Sequence, residues 1–344
     1  MNGRGENFVR GPEIGFMKRI LGSLGNIFVV LAIIYLGLAI HYWLGWPQWV
    51  RNYGGLAFVL AMALFWFLPA GAHRARRLGV LFCMAILAVA YVSKTPVEQK
   101  WVPLHERHVS AVIDGDIARV DNFRDAIHRV NEPATPRWTQ RTLDLSQLQS
   151  AELILQPFGD FRALEHLMLS FRFSDGRHVV VSMEARRTSW ASFDTLAGFF
   201  RHDQIYPMIG TERDLVWKRI ARDPPFEMQF YPLAAEPEAI RAFFLRILKF
   251  ANQVKERPQF YSTIRESCMT TVIKLAPRTF AAVPWYDIRK WIPGYSLSLF
   301  QDLGLVDNSI PADELARRRT LRSGIQDPAD FPDDPAWSAY LRQS

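Results

Sequence analysis

The chain has only two cysteines, Cys83 and Cys268, in 344 residues. Cys83 falls within an apolar run and Cys268 follows a polar segment, so we do not expect a disulfide between them. The sequence also lacks an internal repeat, a phosphate-binding glycine loop and a dinucleotide fingerprint. These absences argue against nucleotide-dependent chemistry, and we expect no cofactor.

Clusters of metal ligands and of basic residues are scarce as well. His105 and His108 lie close together, but no further ligand-type residues complete a recognisable set, so we predict no metal site. The formal net charge of +7 raises the question of a nucleic-acid partner. Many basic residues flank apolar runs and the others are interspersed with acidic residues, so we expect no nucleic-acid binding.

Charged residues are rare in three apolar runs within the first hundred positions. Residues 20–44 form a run long enough to cross a hydrocarbon layer of about 30 Å, whereas residues 54–70 and 78–93 are close to the lower limit for spanning. A buried helix of a soluble protein is the alternative for each short run. Three successive runs separated by brief polar loops favour three transmembrane helices within residues 1–94.

The basic residues around these runs predict the orientation of the membrane region. Those before the first run and between the second and third runs are Arg4, Arg10, Lys18, Arg19, Arg74, Arg76 and Arg77. The loop between the first and second runs carries only Arg51. The positive-inside rule then places the N-terminus in the cytoplasm and everything after Lys94 in the periplasm of a bacterial inner membrane. The first run is too long for a cleaved signal peptide and lacks a small-residue cleavage site.

Cys268 is a lone thiol in a compartment that favours disulfides if this topology holds, which makes it a candidate reactive thiol. A buried, inert thiol is the alternative. Pro258 ends the preceding element, and apolar residues recur at helical spacing after Ser267. The pattern predicts Ser267 as the N-cap of a helix with Cys268 in its first turn, where the helix dipole and free amide groups favour the thiolate.

A β-hairpin is predicted for residues 166–186, because apolar and polar residues alternate on both sides of a three-residue loop, 174–176, with Gly176 in the left-handed conformation. Pairing Phe171 with Val179 and Leu169 with Val181 gives one apolar face. On the other face His166 lies opposite Glu184, an imidazole and carboxylate pair that could serve as general base and orienting group. Ser182 and Arg186 share this face, as does His178, the weaker candidate. An ordinary solvated sheet face is the alternative.

Three ordered segments carry a resemblance to a known family. They are EHLMLSFRFSDGRHVVVSMEARR, GFFRHDQIYPMIGTERDLVWKR and RPQFYSTIRESCMTTVIK. Together with the upstream sequence they resemble, over about residues 114–277, the periplasmic domain shared with the bacterial lipoprotein intramolecular transacylase, Lnb. The histidine-before-cysteine order is similar to permuted papain-like and NlpC-like proteins, including lecithin:retinol acyltransferase relatives, which carry acyl groups on a cysteine.

The resemblance implies roles for particular residues. It assigns a catalytic histidine and cysteine to His166 and Cys268, with Glu184 as a third catalytic candidate. Its serine, arginine and tyrosine fall on Ser182, Arg186 and Tyr261, which would bind substrate or support the site. The usual asparagine before the cysteine is Ser267 and the usual threonine after it is Met269, which puts an oxyanion role for the asparagine amide in doubt.

The remaining sequence predicts an amphipathic helix, an aromatic segment and a tail. Residues 236–258 place Pro237 at a helix start and apolar residues on one face. Residues 284–300 combine tryptophan and tyrosine with basic residues, as in a segment at the lipid headgroup level or in a packed aromatic lobe. Residues 307–344 are rich in Asp, Pro and Arg and read as a loosely ordered tail with one short helix.

The sequence therefore predicts an α+β protein with a membrane region at 1–94, a permuted papain-like periplasmic domain with an antiparallel sheet at 95–306, and a tail. The favoured function is a cysteine acyltransferase that acts on membrane lipids or lipoproteins through a thioester at Cys268. A cysteine amidase or peptidase, a hydrolase acting on cell-wall peptides, would use the same dyad. A non-catalytic membrane scaffold is the second alternative. It would be favoured if Cys268 and His166 lay well beyond hydrogen-bond reach with no plausible motion to join them.

Overall fold

The computed structural model describes residues 12–43, 47–66, 73–159, 163–189, 194, 196–277 and 283–344. The chain divides into two compact units, residues 1–94 and residues 95–344. The described residues of the first unit form three helices, α1 (Pro12–Trp43), α2 (Gln48–Trp66) and α3 (His73–Ser93). The second is a mixed α+β domain that contains the remaining elements.

Two glycines bring α1 and α2 together. A Cβ atom on Gly37 would lie 2.5 Å from Cγ2 of Val59, and one on Gly55 would lie 2.6 Å from the carbonyl oxygen of Gly37. The missing side chains let the two backbones approach closely, which is how transmembrane helices often pack, because lipid supplies no hydrophobic drive between them.

One helix of the described residues is long and apolar enough to cross a membrane, Ser23–Trp43 within α1. It corresponds to the first predicted span, whose last residue, 44, lies outside the described residues. Leu78–Ser93 within α3 is a shorter apolar helix. The end of the second predicted span, residues 67–70, also lies outside the described residues. The second and third spans stay predictions.

The second unit is built on a largely antiparallel sheet, of which the described residues form eight strands. They are β1 (Ser110–Asp114), β2 (Ile117–Arg124), β3 (Trp138–Asp144), β4 (Leu148–Pro157), β5 (Glu165–Phe173), β6 (His178–Arg186), β7 (Gln204–Thr211) and β8 (Gln229–Pro232). The order across the sheet is β1-β2-β7-β6-β5-β4-β8, with β3 paired to β2. The β2–β7 contact is parallel and the other strand pairs are antiparallel.

The predicted hairpin is the β5–β6 pair, and its register is confirmed. Phe171 pairs with Val179 and Leu169 with Val181. Gly176 has a φ of +81°, a conformation that costs glycine little and other residues more. The three-residue loop fixes the register, and the register decides which side chains share a face.

The sheet buries both faces. Leu167, Leu169, Phe171, Val181 and Met183 define the first face, which packs against α6 (Pro237–Glu256) and α7 (Cys268–Leu275). Ile154, Met168, Val180 and Tyr206 define the second face, which packs against the two short helices α4 (Glu212–Leu215) and α5 (Trp217–Ile220) and against α10 (Asp334–Leu341). Helix α6 is the predicted amphipathic helix, and Pro237 is its first residue. Helix α8 (Ser296–Asp302) completes the first layer.

The tail prediction was wrong. Residues 307–344 form α9 (Ala312–Arg319) and α10, and Trp337 on α10 is 0% exposed in the second-face cluster. The Trp337 indole donates to the carbonyl of Gln326 at 3.1 Å, and Asp333 caps α10 by accepting from the N–H of Ala336 at 2.8 Å. A few apolar side chains such as Trp337 order this segment by packing on the second face of the sheet. A composition rich in Asp, Pro and Arg does not reveal this packing.

Candidate active site

Cys268 is the first residue of α7, and Ser267 is its N-cap, as predicted. The Ser267 hydroxyl accepts from the N–H of Thr270 at 3.2 Å, and the Thr270 hydroxyl accepts from the N–H of Ser267 at 2.8 Å. This reciprocal pair satisfies two backbone donors at the start of the helix and fixes the direction in which Cys268 projects.

The thiol of Cys268 is buried, with 4% of the residue exposed, among the first-face side chains. Burial raises the pKa of the thiol, and the N–H groups of Leu167, Met269 and Cys268 itself oppose that rise. The amides lower the pKa of the thiol, as predicted, but desolvation raises it by more. The prediction of a thiolate was therefore wrong, and the thiol is protonated at neutral pH. A nucleophilic role therefore requires a base.

Tyr261 lies against the backbone of Cys268. Burial raises the pKa of the Tyr261 hydroxyl, the Cys268 thiol adds to that rise, and the N–H of Cys268 opposes it. The N–H of Tyr261 donates to the carbonyl of Asp203 at 2.8 Å, which fastens this segment to the loop before β7. A Cβ atom on Gly198 of that loop would lie 2.3 Å from Oγ1 of Thr263, so only glycine allows this packing.

His166, Ser182 and Glu184 form a hydrogen-bonded chain on the second face. Nε2 of His166 lies 2.7 Å from the Ser182 hydroxyl and 3.8 Å from Oε1 of Glu184. The Ser182 hydroxyl donates to Oε1 of Glu184 at 3.1 Å. The predicted placement of His166 and Glu184 on one sheet face is thereby confirmed, with Ser182 joining them.

This chain selects the imidazole tautomer. A hydroxyl carries one proton, and Ser182 gives that proton to the carboxylate, so it must accept from an N–H at Nε2 of His166. Nδ1 then carries the lone pair, and among the described residues it has no hydrogen-bond partner. Burial lowers the pKa of His166 to about 3, with Arg219 as a second cause. The ring is therefore a neutral imidazole at physiological pH, with its lone pair on Nδ1.

Two cations on α5, Lys218 and Arg219, hold the carboxylate of Glu184. Lys218 Nζ lies 2.9 Å and Arg219 Nη2 lies 2.8 Å from Oε1 of Glu184. Burial alone would raise the pKa of Glu184, but Lys218 and Arg219 hold it well below its usual range. Helix α5 brings both cations to the carboxylate, whereas Arg186, two residues along β6, makes other contacts.

Arg186 instead fastens the segment that precedes β1. Its Nε donates to the carbonyl of His105 and its Nη2 to that of Glu106, both at 2.9 Å. The guanidinium lies 4.1 Å from the centre of the Trp101 ring. These contacts bury Arg186 and give it a structural role.

The two halves of the predicted dyad lie on opposite faces of the sheet. Cys268 packs with Leu167 on the first face. His166, the residue before Leu167 on β5, points to the second face, as Met168 does, because side chains alternate along a strand. Among the described residues, no hydrogen bond joins the thiol to the imidazole. At the start of β5, the pairing with β6 ends at Met168 and Ser182. The N–H of the preceding residue, Leu167, is directed at the thiol and lowers its pKa. Cys268 thus lies beside the backbone of residues 166–167.

A second imidazole and carboxylate pair, next to Tyr261 in the fold, was missed in the sequence. Nδ1 of His202 lies 2.8 Å from Oδ1 of Asp203, and the Asp203 carboxylate contributes to the raised pKa of Tyr261. The adjacent histidine and aspartate, directly before the apolar run that forms β7, were the available signal. The contact of residues 203 and 261 is tertiary and could not be read from spacing.

Glu165 was also missed as a candidate site residue, because its surroundings depend on tertiary contacts. It lines a cavity of about 640 Å³ together with Gln229, Tyr295 and Arg317. Its Oε2 atom is buried and has no hydrogen-bond partner among the described residues, and burial raises the pKa of the carboxyl to about 7. By strand alternation Glu165 shares the first face with Leu167, two residues from the N–H that acts on Cys268.

His178, the weaker candidate, belongs to a separate cluster with Glu152 and Glu212. One ligand atom from each lies within 4.8 Å of the others, which is compatible with a metal ion. Arg342 occupies the centre of this cluster instead. Its guanidinium contacts Nδ1 of His178 at 2.8 Å and Oε1 of Glu212 at 2.6 Å, and its Nε donates to Glu152 at 3.0 Å. The guanidinium satisfies these groups, so we assign the cluster to the stability of the fold.

Comparison with known families supports the resemblance seen in the sequence. Residues 134–294 match the family model described as the Lnb N-terminal periplasmic domain. The match contains His166, Ser182, Glu184, Tyr261 and Cys268, so this segment of the chain is similar to the Lnb N-terminal periplasmic domain. No curated protein and no solved structure matches the chain.

Proposed function

We propose that this protein is a membrane-anchored periplasmic cysteine acyltransferase in which Cys268 carries an acyl group taken from a membrane lipid or a lipid-modified protein. The observations that carry the proposal are a thiol at a helix N-terminus, on which the N–H of Leu167 acts, and a neutral imidazole on the adjacent residue, His166. The imidazole lies on the opposite sheet face, so the proposal requires its ring to leave Ser182 and turn towards the sulfur. The Lnb-related domain and the apolar helix Ser23–Trp43 support a lipid-linked setting.

The reaction divides into two steps. The Cys268 sulfur attacks an ester carbonyl, a sulfur–carbon bond forms and the ester carbon–oxygen bond breaks, while His166 moves the thiol proton to the leaving alkoxide. An amine or water then attacks the thioester carbon and the sulfur–carbon bond breaks, returning the proton to the thiol. The N–H groups of Leu167 and Met269, which already act on the sulfur, are suited to stabilise the carbonyl oxygen in both steps. Ser267 has its side chain in the cap and does not replace the missing asparagine amide.

Capture of the acyl intermediate tests this function. Purified protein incubated with phospholipid or lipoprotein micelles should gain a fatty-acyl mass on the peptide 266–274, which contains Cys268, and hydroxylamine should remove it because it cleaves thioesters. Mass spectrometry of the digested protein locates the group. Equal labelling of the peptide that contains Cys83, or cleavage of cell-wall peptides with no acyl labelling, would refute acyl transfer, and the second result would identify a hydrolase.

The proposal includes a permuted papain-like arrangement and three membrane spans with the N-terminus in the cytoplasm. Helices α2 and α3 coincide with the shorter apolar runs, and the basic residues flank the same side of the predicted spans.

The orientation is tested with a reporter enzyme that is active only outside the cytoplasm. A fusion after Lys94 should be active and a fusion after Arg77 inactive, since one more span separates them. Enzymatic activity on intact cells measures the result. An active Arg77 fusion with an inactive Lys94 fusion would place the domain in the cytoplasm.

A further inference from the structure

Large apolar side chains are exposed in one set of loops of the second unit. Among the described residues that follow Val130 in the chain, the exposed large hydrophobic ones are Leu196, Phe199, Ile264, Trp285, Tyr286, Ile288, Trp291 and Tyr295. We call this set the apolar rim. Trp285 is 80% exposed and Ile288 is 62% exposed, which is unusual for side chains of this size outside an interface.

Backbone contacts bring the rim to the end of the sheet that carries Cys268. The N–H of Thr263 donates to the carbonyl of Gly198, which joins the 196–199 loop to the loop before Cys268. The N–H of Gly294 donates to the carbonyl of Ala163, just before β5 begins. Both loops therefore lie beside the strand ends where the N–H of Leu167 acts on the thiol.

The chemistry of the rim fits a bilayer surface better than an aqueous one. Tryptophan and tyrosine present an apolar ring with a polar edge, and they concentrate at the boundary between lipid tails and headgroups. Lys290 lies 4.4 Å over the Trp291 ring and donates to the carbonyl of Trp285 at 2.7 Å, so a cation is held within the aromatic group. Arg289 is paired with Asp287 and Asp302, which leaves apolar insertion as the main expected attraction.

We propose that the apolar rim docks on the lipid bilayer and inserts its tips at the headgroup level, beside the strand ends near Cys268. The occupant is a phospholipid surface, because Trp and Tyr rings favour the headgroup level and the same chain has a helix, Ser23–Trp43, long and apolar enough to cross a bilayer. This docking goes beyond acyl transfer and holds whether or not Cys268 is a nucleophile.

A fluorescent label tests the docking in the full-length protein reconstituted in phospholipid nanodiscs. In a Cys83→Ser, Cys268→Ser background, Ile288→Cys is labelled with an environment-sensitive nitrobenzoxadiazole dye. The dye at position 288 should emit at a shorter wavelength than the same dye free in aqueous buffer. Phospholipid that carries a doxyl quencher near the headgroup should quench its fluorescence. The matched control is Val112→Cys, because Val112 on β1 is 54% exposed and lies outside the rim.

The proposal predicts several-fold stronger lipid quenching at position 288 than at position 112. Equal quenching at both positions would overturn it, since the rim would then have no special relation to the bilayer. A blue-shifted emission at position 288 that doxyl lipid does not quench would also overturn it and would indicate a protein partner. The readout is depth in the membrane, so a failed acyl-transfer assay leaves this result intact.

Discussion

Cys268→Ala is expected to abolish the hydroxylamine-sensitive acyl mass, and His166→Ala to slow its appearance by about a hundredfold or more, the usual cost of losing general-base help. The reason is the raised pKa of the thiol: without a base the protonated sulfur is a poor nucleophile. The measurement is the initial rate of acyl labelling by mass spectrometry, with thermal unfolding of each variant as the check on folding.

Two further variants decide which imidazole acts. Ser182→Ala should lower the rate less than His166→Ala, because it removes the group that fixes the tautomer and leaves the base in place. His202→Ala is the matched histidine control, paired with Asp203 near Tyr261. If His202→Ala slows labelling strongly while His166→Ala does not, the base is His202 and the dyad inferred from the family is wrong for this chain.

The pH dependence gives an independent check on His166. Its pKa is about 3, so this base stays neutral at pH 5 and the labelling rate should not fall between pH 8 and pH 5 through its protonation. An acid limb near the ordinary imidazole pKa of about 6.5 would indicate a solvated histidine instead.

Arg342→Ala is expected to destabilise the second unit by about 3–5 kcal/mol, the range for removing one partner of a buried ion pair. Glu212 is buried, and loss of the guanidinium leaves its charge without compensation beside Glu152 and His178. The midpoint of denaturant unfolding of the purified protein, followed by tryptophan fluorescence, measures the loss. Arg318→Ala is the control, because Arg318 pairs with Glu314 on the exposed side of α9 and should contribute at most about 1 kcal/mol.

The effect of Arg342→Ala should depend on pH in a defined direction. Burial alone would raise the pKa of Glu212, but Arg342 and His178 lower it to about 2, below its ordinary 4.5. A carboxyl with a depressed folded-state pKa contributes stability above its unfolded pKa and loses it as the pH falls. The gap between wild type and Arg342→Ala should therefore be full at pH 7 and narrow from about pH 4.5 towards pH 2. A gap that does not change with pH would show that packing, not charge, holds the tail.

The features that could be predicted from the sequence are the local ones. The register of β5 and β6 follows from a three-residue loop and an alternating pattern, and both lie within about twenty consecutive residues. The cap at Ser267 and the start of α6 at Pro237 depend on neighbouring residues only. These contacts have little loop entropy to overcome, so short-range preferences decide them.

The sequence by itself determined that His166, Ser182 and Glu184 share a face, that Cys268 opens a helix, and that an apolar N-terminal helix precedes an Lnb-related domain. Tertiary structure decided the rest. It placed Cys268 against the first face and His166 on the second, gave Glu184 to Lys218 and Arg219, and brought Arg342 to Glu152 from 190 residues away along the chain. The physical reason is burial: desolvation sets the pKa of the thiol and the imidazole, and buried cations overcome it at Glu184 and Glu212. Which groups are buried, and beside which cations, depends on which distant elements cover each face of the sheet.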